Sequence, residues 1–160
     1  MTRIAIIILA ILIAIAVAPA SARDRYGCSD LADYHHVFEA AISEEDLETL
    51  FTMFDQDPAT VSPSGHREMA RLLDDWADEL EAIPQDDVPR VARIYHAAYI
   101  DLLRAGSDAA IALATFGMSN ALILPYLDAV AQAVDDVEAV ERLGEKRCGA
   151  DWPFDDGPFT

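Results

Sequence analysis

The sequence lacks the short motifs by which many enzymes are recognised. It contains no Gly-x-Ser-x-Gly nucleophile elbow, no His-Glu-x-x-His zinc motif and no glycine-rich phosphate loop. Its only two cysteines, Cys28 and Cys148, do not form the Cys-x-x-Cys pair of a redox centre. We therefore expect a protein that is not an enzyme and uses no cofactor.

Basic residues are also scarce. The chain has 11 lysines and arginines against 29 aspartates and glutamates, a net charge of -18, and Lys146 is its only lysine. Nucleic acids and anionic membranes are bound through basic surfaces, so this charge balance argues against both as partners. An excess of acid suits a protein kept soluble in high salt, although a genome-wide bias toward arginine over lysine would produce the same profile.

The N-terminus has the pattern of an export signal. Arg3 precedes an unbroken apolar run at residues 4–18, and small residues then lead to Ala22. We predict that residues 1–22 are a signal peptide cleaved after Ala22, which makes the protein secreted or periplasmic. The alternative is an uncleaved anchor, because residues 4–22 approach the roughly 20 residues that span a bilayer. The folded domain would then lie outside the membrane and contact it only through this segment.

Export gives the two cysteines a structural role. The predicted mature chain, residues 23–160, has a size typical of one domain, and Cys28 and Cys148 lie near its two ends. In an oxidising compartment two cysteines permit one intramolecular disulfide. We predict this bridge, and the chain-entropy model gives it a stabilising effect of about 4 to 5 kcal/mol.

Apolar residues recur at helical spacing along most of the mature chain, and no segment alternates as a strand does. This pattern predicts an all-α protein, an antiparallel bundle of about five or six helices whose ends the disulfide joins. Ser43 and the pair Ser62 and Pro63 are typical helix starts, because serine caps a helix and proline fits its first turn. The first two helices, residues 29–42 and the one that Ser43 opens, would together form one leg of the bundle.

Glycine and proline predict the other boundaries. We expect one helix over residues 62–83 and another over residues 86–106, which Gly106 would end. Three aromatic residues in the C-terminal tail are expected to dock on the bundle: Trp152, Phe154 and Phe159.

Residues 107–142 are too long for one straight helix of the bundle, so we expect a break at residues 117–120 or a kink at Pro125. Residues 109–124 are apolar nearly all round. We expect them to form the central, most buried helix rather than a second membrane span, because no basic residues flank them. Gly144 would end the last helix.

The segment between the second and third helices carries a local resemblance to a calcium-binding motif. Its hydrophobic and acidic residues follow the order of an entering helix and the first loop ligands: Leu47, Leu50, Phe51, Phe54, Asp55, Gln56 and Asp57. Over residues 44–73 the chain therefore resembles a degenerate EF-hand, and the resemblance implies Asp55 and Asp57 as metal-ligand candidates.

The departures from the EF-hand pattern fall on the metal ligands. Pro58 and Ala59 replace a turn residue and the third side-chain ligand, and Gly65 or His66 stands where a glutamate should close the shell. Because calcium needs six to eight oxygen ligands, we predict a helix-loop-helix without metal. The hairpin around Leu80, Pro84 and His96 also resembles hairpins of uncharacterised exported bacterial helical proteins, a resemblance that implies no activity.

A second metal candidate lies in the first helix, where His35, His36 and Glu39 occupy about one turn. With a residue from another helix they could hold a transition metal. We favour the simpler interpretation of a half-buried His35 and a solvated His36, because no Glu-x-x-His motif recurs as a di-iron bundle would require.

Three functions remain open. The leading hypothesis is a non-enzymatic exported protein that binds a protein or envelope partner through its helical surface or aromatic tail. The second is a carrier that holds a small hydrophobic ligand between residues 109–124 and the neighbouring helices. The third is a cation-responsive module built on the acidic loop.

Overall fold

The computed structural model describes residues 27–154 and has the all-α fold that the sequence predicts. The helices within these residues are α1 Leu31–Glu39, α2 Glu44–Phe54, α3 Pro63–Glu81, α4 Arg93–Phe116 and α5 Leu124–Cys148. Short 3-10 turns cover Cys28–Asp30, Ala121–Ile123 and Gly149–Asp151. Between residues 27 and 154 there is no strand, and no helix combines the length and apolarity that crossing a membrane requires.

Two helix starts are fixed by serine, as predicted. The Ser43 side chain accepts a hydrogen bond from the Asp46 N–H at 3.1 Å, and the Ser62 side chain accepts one from the Gly65 N–H at 3.1 Å. Pro63 follows as the first residue of α3. These bonds satisfy N–H groups that have no partner inside the helix, so α2 and α3 begin where the sequence predicts.

The helices form an antiparallel bundle with two distinguishable ends. Near the start of α4, Tyr95 packs edge-on against Trp152, which follows α5. Near the end of α4, Leu113 lines the same cavity as Leu127, which lies at the start of α5. The two helices therefore run in opposite directions. We call the end near Trp152 the disulfide end and the end near Leu113 the distal end.

Aromatic side chains fill the core at the disulfide end. Phe38 of α1 meets Tyr99 of α4 edge-on with ring centroids 4.9 Å apart, and Phe154 of the tail packs against Tyr95 in a tilted arrangement at 4.4 Å. Trp152 and Phe154 are buried, so the predicted docking of these two residues is confirmed. Phe159 lies outside the described residues.

The disulfide between Cys28 and Cys148 is confirmed. The two Cα atoms lie 5.6 Å apart across a sequence separation of 120 residues. The bridge joins the turn before α1 to the last residue of α5, so the chain returns to its starting end, as an antiparallel bundle requires.

Charged residues also join α3 to α4. Arg104 of α4 pairs with three carboxylates along α3: Asp74 at 3.1 Å, Asp78 by a short contact and Glu81 at 3.3 Å. Because acidic residues outnumber basic ones, a single guanidinium serving three carboxylates reduces repulsion along this face of α3.

The bounds of α4 differ from the prediction of a helix over residues 86–106. A proline disfavours helical backbone at the residue before it, and the segment ahead of Arg93 forms turns, with the Ala92 N–H bonded to the Pro89 carbonyl at 2.8 Å. At the other end the helix passes through Gly106. A Cβ at Gly106 would lie 3.2 Å from a methyl of Leu73, so this glycine permits the close approach of α3 and α4 rather than ending a helix.

The predicted break at residues 117–120 is confirmed, and Pro125 lies in the first turn of α5 instead of kinking a longer helix. The prediction of a central buried helix over residues 109–124 is wrong. α4 ends at Phe116 and is followed by Gly117, whose φ of 73° is a conformation that glycine tolerates. The apolar side chains around this turn lie at the distal end and are 40–57 % exposed: Phe116, Met118, Leu122 and Leu124.

Gly144 does not end the last helix, which continues to Cys148. A Cβ at Gly144 would lie 2.4 Å from ring atoms of Trp152. Gly144 therefore leaves the space that the docked Trp152 ring occupies. The prediction that it ends the helix is wrong because its role is in packing.

Candidate functional site

A cavity of about 270 Å³ lies at the distal end of the bundle, among α2, α3, α4, α5 and the α2–α3 loop. Each of the four helices contributes apolar side chains to its wall, including Met53, Met69, Leu73, Leu103, Leu113 and Val130. The cavity opens to solvent on one side. It differs from the other pockets described on this structure in its almost wholly apolar lining.

The cavity arises from small residues on α4. Gly106, Ala109 and Ala110 line it where larger side chains would fill the space between α3 and α5. On the opposite wall α5 presents Leu127 and Val134, two turns apart on the same face. The small residues on α4 leave space between the helices, and the larger residues on α5 form the facing wall of the cavity.

The wall is almost entirely hydrocarbon. Among its lining residues within the described chain, none is charged, and only Gln56 and His66 have strongly polar side chains. Gln56 is exposed, and its amide nitrogen donates to the Thr52 carbonyl at 3.1 Å. His66 is buried, so the cavity combines a hydrocarbon wall with one buried polar group.

The cavity reaches the protein surface between α2 and α5. Phe54 on one side and Leu127 and Val134 on the other line it and are 36–42 % exposed. The cavity is therefore open to solvent along this edge.

The volume suits a small ligand. An apolar cavity of about 150 Å³ binds benzene, and pockets for small molecules generally begin at roughly 300 Å³. By proportion, 270 Å³ accommodates a ligand of about ten to twelve non-hydrogen atoms.

The loop that resembles an EF-hand holds itself together by local bonds. The Asp57 carboxylate accepts from the Ala59 N–H at 2.9 Å, and the Asp57 carbonyl accepts from the Thr60 N–H at 2.8 Å. Asp55 is exposed beside it. His66, one of the residues at the place of the closing glutamate, instead lies with its Nε2 3.2 Å from the Pro58 carbonyl oxygen.

The histidines of α1 lie as expected. His35 is half-buried against the edge of Phe154, and the His36 side chain is 80 % exposed. Glu39 lies 3.5 Å from His35 and 3.7 Å from His36. Residues 27–154 contain no group of three or more histidine, cysteine or acidic side chains arranged to hold a metal ion.

One buried polar contact could not be found from the sequence. The Tyr34 hydroxyl and His96 Nδ1 are 2.6 Å apart in the core between α1 and α4. Burial lowers the pKa of His96 and raises that of Tyr34, so both side chains stay neutral near pH 7. The two residues are separated by 62 positions in the chain, and no local pattern links them.

Comparisons with protein-family models, curated proteins and solved structures found no match to this chain. The functional proposal therefore rests on the cavity and on the sequence features alone.

Proposed function

We propose that this protein is an exported, non-enzymatic carrier of a small hydrophobic ligand, which it holds in the cavity at the distal end of the bundle. The observation that carries the proposal is a pocket of about 270 Å³ that is lined by hydrocarbon side chains of four helices and opens to solvent on one side. Apolar concave sites with few polar groups are the usual form of small-molecule sites in proteins.

The proposal of export rests on two features. Residues 4–18 have the apolar pattern of a signal core, and the disulfide between Cys28 and Cys148 favours an oxidising compartment.

A second candidate is the binding of a protein or envelope partner. Trp152 and Phe154 are buried against the bundle, so their rings present little surface to a partner. The exposed apolar side chains at the distal end, such as Met118, Leu122 and Leu124, are the surface that favours this alternative.

Equilibrium dialysis of the purified, disulfide-bonded protein against naphthalene tests the carrier proposal. A buried aromatic ligand removes about 200 Å² from water, a gross gain of about 5 kcal/mol from which the entropy lost on association is subtracted. We expect one saturable site per protein molecule. The absence of saturable binding up to the solubility limit would contradict the proposal.

A matched pair of variants locates the site. Val130 lines the cavity, whereas Val37 on α1 is half exposed and lies outside it. We expect Val130→Trp to weaken naphthalene binding at least tenfold because the indole occupies the cavity, and Val37→Trp to leave it unchanged. Equal binding by the two variants would place the ligand elsewhere. The melting temperature of each variant reports that it is folded.

A further inference from the structure

The mouth of the cavity, at the edge between α2 and α5, is bordered by aspartates. Four lining residues are each next to an aspartate in the chain, in the pairs Phe54-Asp55, Asp57-Pro58, Leu127-Asp128 and Val134-Asp135. Consecutive Cα atoms are about 3.8 Å apart, so each aspartate is one step from the wall. All four aspartates are exposed. Their carboxylates therefore lie on the protein surface close to the opening.

Lysine and arginine do not balance these charges on either side of the mouth. The sequence has neither residue type at positions 44–65, which include α2 and the α2–α3 loop, or at positions 105–141, which include the end of α4 and most of α5. Arg67 and Arg71 of α3 line a different pocket, with Ile111 of α4. A cleft with low-dielectric walls and charges of one sign concentrates ions of the opposite sign. The mouth therefore favours cations.

The cavity and its mouth favour different parts of a ligand. The lining is almost wholly apolar, and a polar group buried there without a hydrogen-bond partner is unfavourable. A hydrocarbon body therefore fits inside, while a charged group of the same molecule remains at the mouth in contact with water. The aspartates repel a carboxylate at that position and attract an ammonium group.

We propose that the cavity binds a small hydrophobic amine, with its hydrocarbon body between the helices and its ammonium group at the mouth near Asp55, Asp128 and Asp135. This inference rests on the proposed carrier function and adds the charge of the ligand. The hydrocarbon wall provides general affinity, and the carboxylates at the mouth determine which sign of charge is preferred.

Three probes of similar size test the inference in the unmodified, disulfide-bonded protein at pH 7. They are the cation 1-naphthylmethylamine, the neutral 1-naphthylmethanol and the anion 1-naphthoate. In water, two unit charges about 9 Å apart change an affinity about twofold, so several aspartates correspond to roughly a tenfold preference at low salt. We expect the amine to bind at least threefold more tightly than the alcohol in 10 mM NaCl, and the naphthoate to bind more weakly than the alcohol. The preference should disappear in 1 M NaCl, where the screening length falls to about 3 Å.

Competition shows where the amine binds. The alcohol should displace the amine, because the hydrocarbon bodies of both occupy the cavity. An amine that the alcohol does not displace is bound elsewhere on this acidic protein, and the inference is refuted.

The outcomes separate this inference from the carrier function. If naphthalene binds and the amine binds no more tightly than the alcohol in 10 mM NaCl, the role of the mouth is refuted and the carrier function stands. If neither naphthalene nor any of the three probes binds, the carrier function itself fails.

Two triple variants that remove the same charge locate the source of the preference. The mouth variant carries Asp55→Asn, Asp128→Asn and Asp135→Asn. Asp57 is kept because its carboxylate accepts the Ala59 N–H at 2.9 Å and so holds the loop. The control variant changes three exposed acidic residues at the disulfide end, by Asp86→Asn, Asp87→Asn and Glu145→Gln.

The control residues are far from the mouth along the bundle. Glu145 lies one turn before Cys148, and a Cβ on Gly27 would lie 3.6 Å from Pro89, two residues after Asp87. We expect the ratio of the alcohol Kd to the amine Kd in 10 mM NaCl to fall at least twofold in the mouth variant and to persist in the control variant. Alcohol binding and the melting temperature report that both are folded. An equal fall in the two variants would assign the preference to net charge and overturn the inference.

Discussion

Replacing Gly144 by alanine tests how the C-terminal tail is held. In a helix interior alanine is usually more stable than glycine by about 0.5–1 kcal/mol. Here the added Cβ would lie 2.4 Å from three atoms of the Trp152 ring, closer than two carbon atoms can approach. The substitution must therefore displace an indole that is only 3 % exposed.

The expected loss follows from what Trp152 contacts. Its ring packs edge-on against Tyr95 and Phe154 with centroids 5.7 and 5.0 Å away. Removing a buried tryptophan side chain costs about 3–5 kcal/mol. After the helix gain of up to about 1 kcal/mol is subtracted, we expect Gly144→Ala to lower the free energy of unfolding by about 2–4 kcal/mol.

Urea unfolding followed by circular dichroism, with the disulfide intact, measures this effect. A double-mutant cycle with Trp152→Ala isolates its cause. In the Trp152→Ala background the added methyl group meets no indole, so Gly144→Ala should be neutral or stabilising by up to about 1 kcal/mol. A loss of the same size in both backgrounds would refute the explanation by tail docking.

Three further predictions concern stability. Replacing Cys28 and Cys148 by serine should lower the free energy of unfolding, measured in urea, by about 4 to 5 kcal/mol. An unchanged urea midpoint would show that the bridge does not restrict the unfolded chain as this model assumes. Because burial lowers the pKa of His96, the unfolded chain binds a proton more readily, so stability should fall as the pH drops below 6.5. The melting temperature measured from pH 7.5 to 5 should fall less in His96→Gln, and parallel curves would contradict this. Arg104→Gln should lower the free energy of unfolding by up to about 1 kcal/mol in low salt and by less in 1 M NaCl. The Arg104 side chain is 35 % exposed, so salt screens its three ion pairs. A loss that does not depend on salt would contradict the electrostatic explanation.

Local signals in the sequence predict much of the fold. Helical spacing predicts the all-α class, and Ser43 and Ser62 mark two helix starts because capping is a contact between residues close in the chain. The disulfide follows from cysteine number and the expected compartment.

The role of a glycine is hard to predict from sequence for a physical reason. A glycine that ends a helix and a glycine that admits a neighbouring side chain look alike in a sequence. Gly106 faces Leu73 and Gly144 faces Trp152, and these contacts depend on packing between distant segments. Gly117, with positive φ, is the one that ends α4.

The candidate site was only partly predictable. An apolar interior for a small ligand was one of three hypotheses from the sequence, but it was placed around residues 109–124 as a central helix. The cavity instead uses Gly106, Ala109 and Ala110 on α4 with walls from α2, α3 and α5. A sequence shows that residues are small, and only the packing shows whether their neighbours fill the space.

The most direct test of the carrier proposal is an NMR titration with naphthalene of protein labelled with 13C at its methionine methyl groups. Met53 and Met69 line the cavity, and Met118 is 40 % exposed on the turn after α4, so the protein contains its own control. The proposal predicts that ring-current shifts move the Met53 and Met69 signals together, with one Kd, while the Met118 signal stays in place. Movement of Met118 without Met53 and Met69 would contradict it and place the ligand on the exposed distal surface.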